Sequence, residues 1–153
     1  MNEKCRAGLD EALEDEYKAR AVYAKIIETF GPVQPFVNIV ESEGRHIAAL
    51  CALYEKYGLP IPADKWRGKA AAPASIAEAC RAAVEGEIEN AAMYDRLIGD
   101  ADLPDVRQVL QRLRAASRDN HLPAFRRCLQ RESGRESGVG RTGGRRHRHG
   151  RRA

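Results

Sequence analysis

The chain carries four histidines, and two of them, His46 and His121, stand in the middle of otherwise hydrophobic segments. Glu43 precedes His46 by three residues, a spacing that on a helix puts both side chains on one face, where they can bind one cation together. Glu16 and Glu87 occupy the middles of two further segments in the same way. A glutamate set among Leu, Ile and Tyr is costly when ionised unless it is paired, protonated or bound to a metal. Three such glutamates at one depth, with two imidazoles, form an oxygen and nitrogen donor set that suits Fe or Mn better than a thiolate-preferring metal. The same residues are also compatible with a metal-free buried network neutralised by Arg20 and Arg118. Tyr23 and Tyr94 follow Glu16 and Glu87 by seven residues each, and are either core aromatics or hydrogen-bond donors to a ligating carboxylate.

Residues so placed need helices to hold them. The sequence breaks at Gly31–Pro35, over the long stretch from Gly58 to Pro73, and more weakly at Gly99–Pro104, where Asp102 is the expected cap of a helix starting near Pro104. The four segments between these breaks are about 20 to 25 residues long, a helical length rather than a strand length. Apolar residues recur every three or four positions, for example Phe36, Ile39, Leu50 and Leu53, and the fourth seam reads Val106, Leu110, Leu113, Ser117, His121, Ala124, Cys128. Each seam is interrupted near its centre by one of the glutamates or histidines above. Residues 14–23 are echoed by residues 85–94, with Glu16 on Glu87 and Tyr23 on Tyr94, and His46 then matches His121. Two copies of a helical hairpin predict an all-α, antiparallel four-helix bundle with a long crossover between helices 2 and 3.

The net charge of +4 over 153 residues misleads if read globally. Residues 131–153 hold eight Arg and two Glu, so the body of the chain is acidic and only the tail is basic. The bundle is expected over 1–132 and a disordered Arg/Gly-rich tail over 133–153, suited to nonspecific polyanion binding rather than to reading a base sequence. No apolar run approaches a membrane span, and Met1–Arg6 has no apolar stretch of a secretory signal, so the expected setting is cytoplasmic. Cys5, Cys51, Cys80 and Cys128 lie far apart, without CxxC spacing, and are expected reduced. Cys80 lies seven residues before Glu87 and Cys128 seven after His121, which on antiparallel helices puts both thiols inward at one end of the bundle. There they are core packing or a redox-active pair.

Glu16, Glu43, His46, Glu87 and His121, together with Pro35–Ile39 and Asn120–Phe125, resemble the ferritin-like superfamily, and within it a bacterial branch of small rubrerythrin-like proteins that carry dinuclear iron or manganese. The resemblance spans residues 9 to 130. It implies that these five residues are metal ligands, that Tyr23 and Tyr94 lie beside the metals, and that the chemistry is of ferroxidase or peroxidase type with O2 or H2O2. A homo-oligomer is compatible with it, and nothing in the chain demands a cage. The family's fourth helix carries Glu-x-x-His, whereas this chain reads Arg118-Asp119-Asn120-His121. Either Arg118 turns away and a second metal is under-coordinated, or Arg118 points inward as a neighbour of the ligands and one metal sits beside a guanidinium-carboxylate pair. The alternative function is a non-catalytic bundle with a degenerate site, acting as a binding module.

Overall fold

The structure, a computed structural model, describes residues 1–139. These residues are all-helical, with no strand among them. Helix α1 (Glu3–Phe30) starts where the Asn2 side chain accepts the backbone N–H of Cys5 at 2.8 Å, and it ends at Gly31, whose φ of 87° suits only glycine without strain. Helix α2 (Phe36–Lys56) follows directly. The crossover, residues 57–75, is tied to α1 by three contacts: Tyr17 donates to the Pro62 carbonyl, Trp66 Nε1 donates to Glu14, and Arg20 pairs with Asp64 at 2.9 Å. Arg20 therefore serves the crossover and does not neutralise the buried glutamates.

Helix α3 (Ile76–Asp100) is capped by Ser75, which accepts the Glu78 N–H at 3.1 Å. Helix α4 (Pro104–Ala115) begins with proline at its first turn and no side-chain cap. Asp102, the expected cap, instead accepts the backbone N–H of Asn2 at 2.8 Å and so ties this turn to the start of α1. A π-helical turn (Ala116–His121) then leads into α5 (Leu122–Val139). Helix α1 packs on α2 and α3, and α3 packs on α4 and α5.

The apolar interior is split in two. One cluster joins Leu9, Leu13, Leu50, Tyr54, Tyr94 and Leu110 with their neighbours. The other joins Tyr23, Ile26, Phe36, Ala83, Phe125 and the two cysteines Cys80 and Cys128. These cysteines are bonded to each other, which corrects the expectation of reduced thiols for this pair. The cause is proximity: α3 and α5 bring their Cα atoms to 5.9 Å, inside the range a disulfide spans. Cys5 and Cys51 are free.

Helix α5 continues to Val139, seven residues past the expected end of the bundle at 132, so the expectation of disorder from 133 does not hold for 133–139. A helix already nucleated extends at little cost, and the Glu132–Arg135 pair at 2.6 Å supports the extra turns. The remainder of the expected tail lies outside the described residues. Residues 134–138 are exposed, so deleting 133–153 should leave the thermal midpoint within about 2 °C, as a change of about 0.5 kcal/mol implies. A larger loss in a calorimetric melt would show that the segment packs on the body.

Candidate metal centre

Between the two apolar clusters lies a polar layer. Among the described residues it contains every buried polar or charged side chain: Glu16, Glu43, His46, Glu87, Ser117 and His121, each at most 9 % exposed. All four helical rods contribute, with Glu16 from α1, Glu43 and His46 from α2, Glu87 from α3, and Ser117 and His121 from the π turn. The structure thus brings together the five acidic and histidine residues singled out in the sequence.

They form two triads that share one member. Glu16, Glu43 and His46 offer ligand atoms within 4.8 Å of one another, and so do Glu43, Glu87 and His121. The two oxygens of Glu43 divide between them: Oε2 is 2.9 Å from His46 Nδ1, and Oε1 is 3.5 Å from His121 Nδ1. Each outer carboxylate completes its own triad, with Glu16 Oε2 3.2 Å from His46 Nδ1 and Glu87 Oε1 3.4 Å from His121 Nδ1.

The tyrosines connect crosswise. Tyr94 of α3 donates to Glu16 of α1 at 2.5 Å, and Tyr23 of α1 donates to Glu87 of α3 at 2.9 Å. Both phenols are held well above their usual pKa by burial and then by the charge of the nearby glutamates, Glu87 for Tyr23 and Glu16 for Tyr94, so both stay protonated donors. Tyr94 engages Oε1 of Glu16 and leaves Oε2 toward His46, whereas Tyr23 engages the same Oε1 of Glu87 that faces His121.

The electrostatics of the layer follow from burial. Burial pushes the Glu16 carboxyl up, but the hydrogen bond from His46 and its positive charge overcome this and hold it below the ordinary value. Glu43 is driven well above the usual range by burial and then by the charge of Glu16. Burial works against the His46 imidazolium, yet the hydrogen bonds to Glu16 and Glu43 raise its pKa to about 10. Protons on His46 and Glu43 thus do part of the neutralising that a cation would do in the same place. The donor set fits that role, with three carboxylates and two imidazole nitrogens convergent at one depth.

Two serines to which the sequence assigned no role also meet the layer. Ser42 Oγ lies 3.4 Å from His46 Nε2 and 3.1 Å from His121 Nε2, so one hydroxyl oxygen faces both rings, which stack at 5.4 Å. With a cation in place of the proton on His46 Nδ1, Nε2–H groups that donate to Ser42 would leave the Nδ1 lone pairs of both rings for that cation. Ser117 Oγ donates to Glu87 Oε2 at 2.5 Å. Only its place on the seam before His121 signalled it.

Arg118, by contrast, is not a neighbour of the ligands. Its side chain is 56 % exposed and pairs with Asp119 at 2.9 Å. The reason is the π turn. Its hydrogen bonds close around one more residue than those of an α-helix, so a residue three before His121 is turned further from it than in an α-helix, while a residue four before stays on its face. Ser117 therefore shares the face of His121 and Arg118 swings to solvent. Of the two arrangements the sequence left open, the structure has the one with Arg118 turned away.

A buried carboxylate and histidine layer inside an all-helical body defines the class of this protein. The chain belongs to the family described as uncharacterized protein domain DUF2202, whose model matches residues 10–139. It is 31% identical over 144 residues to the uncharacterized protein MJ0754 of Methanocaldococcus jannaschii, an alignment covering 84% of this chain and 77% of that one. The crystal structure of MJ0754 superposes with a TM-score of 0.79 at 28% identity, covering 87% of this chain and 83% of the other.

Two outcomes follow from this geometry. Arg118→Ala should leave metal content, measured by elemental analysis, and stability unchanged within about 0.5 kcal/mol; a drop in bound metal would return Arg118 to the site. Ser42→Ala should weaken metal binding at both triads by roughly tenfold to a hundredfold, and Ser42→Thr, which keeps the hydroxyl, should restore it. Competition titration with a chelator measures both variants, and an unchanged affinity in Ser42→Ala would remove Ser42 from the support of the histidines.

Proposed function

We propose that this chain is a ferritin-like, rubrerythrin-like metalloprotein, an antiparallel four-helix bundle that holds two iron or manganese ions and reacts with O2 or H2O2 as a ferroxidase or peroxidase. The observation that carries the reading is the division of Glu43, one oxygen to each triad, which suits a carboxylate shared by two cations. In this reading Glu16 and His46 would hold one ion, Glu87 and His121 would hold the other, and Glu43 would serve both. The bound pair would supply two one-electron redox centres and positions for the oxidant.

The rest of the chemistry belongs to the chain's own residues. Tyr94 and Tyr23 orient Glu16 and Glu87, Ser42 sets the tautomer of both imidazoles, and Ser117 fixes the second oxygen of Glu87. The apolar clusters cover the layer on its two sides along the helix axes. With Arg118 at the surface no guanidinium opposes a cation, although the second ion would still have one carboxylate fewer than a Glu-x-x-His helix supplies. Among the described residues no helix is long and apolar enough to cross a membrane.

Elemental analysis of protein purified without an affinity tag should find close to two Fe or Mn per chain. His46→Ala should fall to about one while keeping its helical circular dichroism. Glu43→Ala should weaken both ions and abolish the electron-paramagnetic signature of an exchange-coupled manganese pair. Full metal content in both variants, or none in the native protein, would overturn the reading.

A further inference from the structure

The carboxylate and histidine layer is buried, so a cation that enters it from solvent needs a path. The apolar clusters cover the layer on its two sides along the helix axes. Between α1 and α3, however, a groove of about 290 Å³ leads to it. Tyr23, Glu43 and Glu87 line the inner end, each at most 5 % exposed, whereas Lys18, Glu85 and Glu89 at the outer end are exposed. The small side chains of Ala19 and Ala83 stand between them, one from each helix. The groove thus runs from solvent to two carboxylates of the second triad. One of these, Glu43, is common to both triads, so an ion that reaches it can pass to either.

The charge of the rim fits such a passenger. Asp15, Glu85 and Glu89 stand there against one lysine, Lys18. Asn90 of α3 donates to Asp15 of α1 at 2.6 Å and fixes that carboxylate between the two helices. A second cavity, of about 310 Å³, supplies the contrast: its lining has Arg20, Lys25 and Arg67 against Glu28 and Asp64, and includes no residue of the layer. Acidity therefore goes with the cavity that reaches the ligands. A cleft lined by one sign of charge between low-dielectric walls focuses its field and raises the local concentration and on-rate of ions of the opposite sign.

We propose that this groove is the path by which divalent cations enter the layer. Asp15, Glu85 and Glu89 draw the ion from solvent, Lys18 opposes it, and Glu43 and Glu87 receive it. The proposal rests on the dinuclear reading but concerns a different quantity, namely how fast the ions arrive and not which side chains hold them.

The test mixes the full metal-free chain with Co(II) in an anaerobic stopped-flow spectrometer, where the visible bands of the bound ion report its arrival. Glu85→Lys and Glu89→Lys should each slow uptake roughly threefold to tenfold, and Lys18→Glu should speed it by a similar factor. Salt at about 0.5 M should bring all three within about twofold of the native rate, because it screens the rim charges. Glu55→Lys makes the same change in net charge at an exposed position near the end of α2, away from the groove, and should leave the rate within about twofold. Cobalt content at saturation and helical circular dichroism should match the native chain in all four variants, since none of the replaced side chains is a ligand. Folded variants that fill at the native rate whatever the rim charge would overturn the proposal and leave the dinuclear reading intact. So would a Glu55→Lys chain slowed as much as Glu89→Lys. A native chain that takes up no cobalt would overturn both.

Discussion

Burying three carboxylates at one depth is the constraint from which the rest of this structure follows. Each would cost several kcal/mol if ionised and unpartnered. Every helical rod therefore gives up part of its apolar seam to supply a partner. Tyrosines donate from α1 and α3, imidazoles face in from α2 and the π turn, and Ser117 donates to Glu87. The result is one polar layer between two apolar clusters, in place of a single continuous core.

The layer is nearly symmetric, and its one asymmetry matters. Glu16 with Tyr94 and Glu87 with Tyr23 are interchanged by the internal repeat, as are His46 and His121. Glu43 alone has no counterpart, because the repeat sets Arg118 in its place and Arg118 is turned to solvent while Ser117 lies inward. An ordinary α-helical turn there would bring Arg118 nearer the face of His121, and its guanidinium nearer the carboxylates. The π turn removes that charge from the interior, at the cost of a less favourable backbone ladder. A layer that keeps its full three-carboxylate charge is better matched to cations than one neutralised from within.

The sequence was most readable where burial and helical period agree. The second seam, from Phe36 through Glu43 and His46 to Leu53, is buried throughout, because a long apolar face leaves one rotation about the helix axis. The fourth seam already put Ser117, not Arg118, in line with His121, and that period is what the structure follows. The template of Glu-x-x-His pulled the reading toward Arg118, since three-residue spacing holds for α-helices and nothing local announces a π turn. Arg20 misled for a related reason: its long side chain reaches away from the seam to Asp64 in a crossover whose path the sequence leaves undetermined. Ser42 was invisible because its role depends on two rings, one of them 79 residues away. The disulfide was half visible: the spacing put Cys80 and Cys128 at one end of the bundle, but contact at 5.9 Å between Cα atoms depends on how closely α3 and α5 approach.

That disulfide falls where the divided core most needs it. The cluster on the α1 N-terminal side of the layer holds sixteen buried residues, and the cluster on the other side holds nine, so the second has less apolar area with which to hold its helices together. A cross-link between residues 48 apart restricts the unfolded chain and compensates for the smaller core. Packing adds to this, since Tyr23, Phe36 and Phe125 form a cluster of three rings with centroids 5.0 to 5.6 Å apart in the same half. The bond also joins the two rods that carry Glu87 and His121, two helical turns from each of them. It therefore fixes the relative height of the residues that complete the second triad, the one in which the fourth rod supplies no carboxylate. The half of the molecule with the thinner core is the half that is covalently closed.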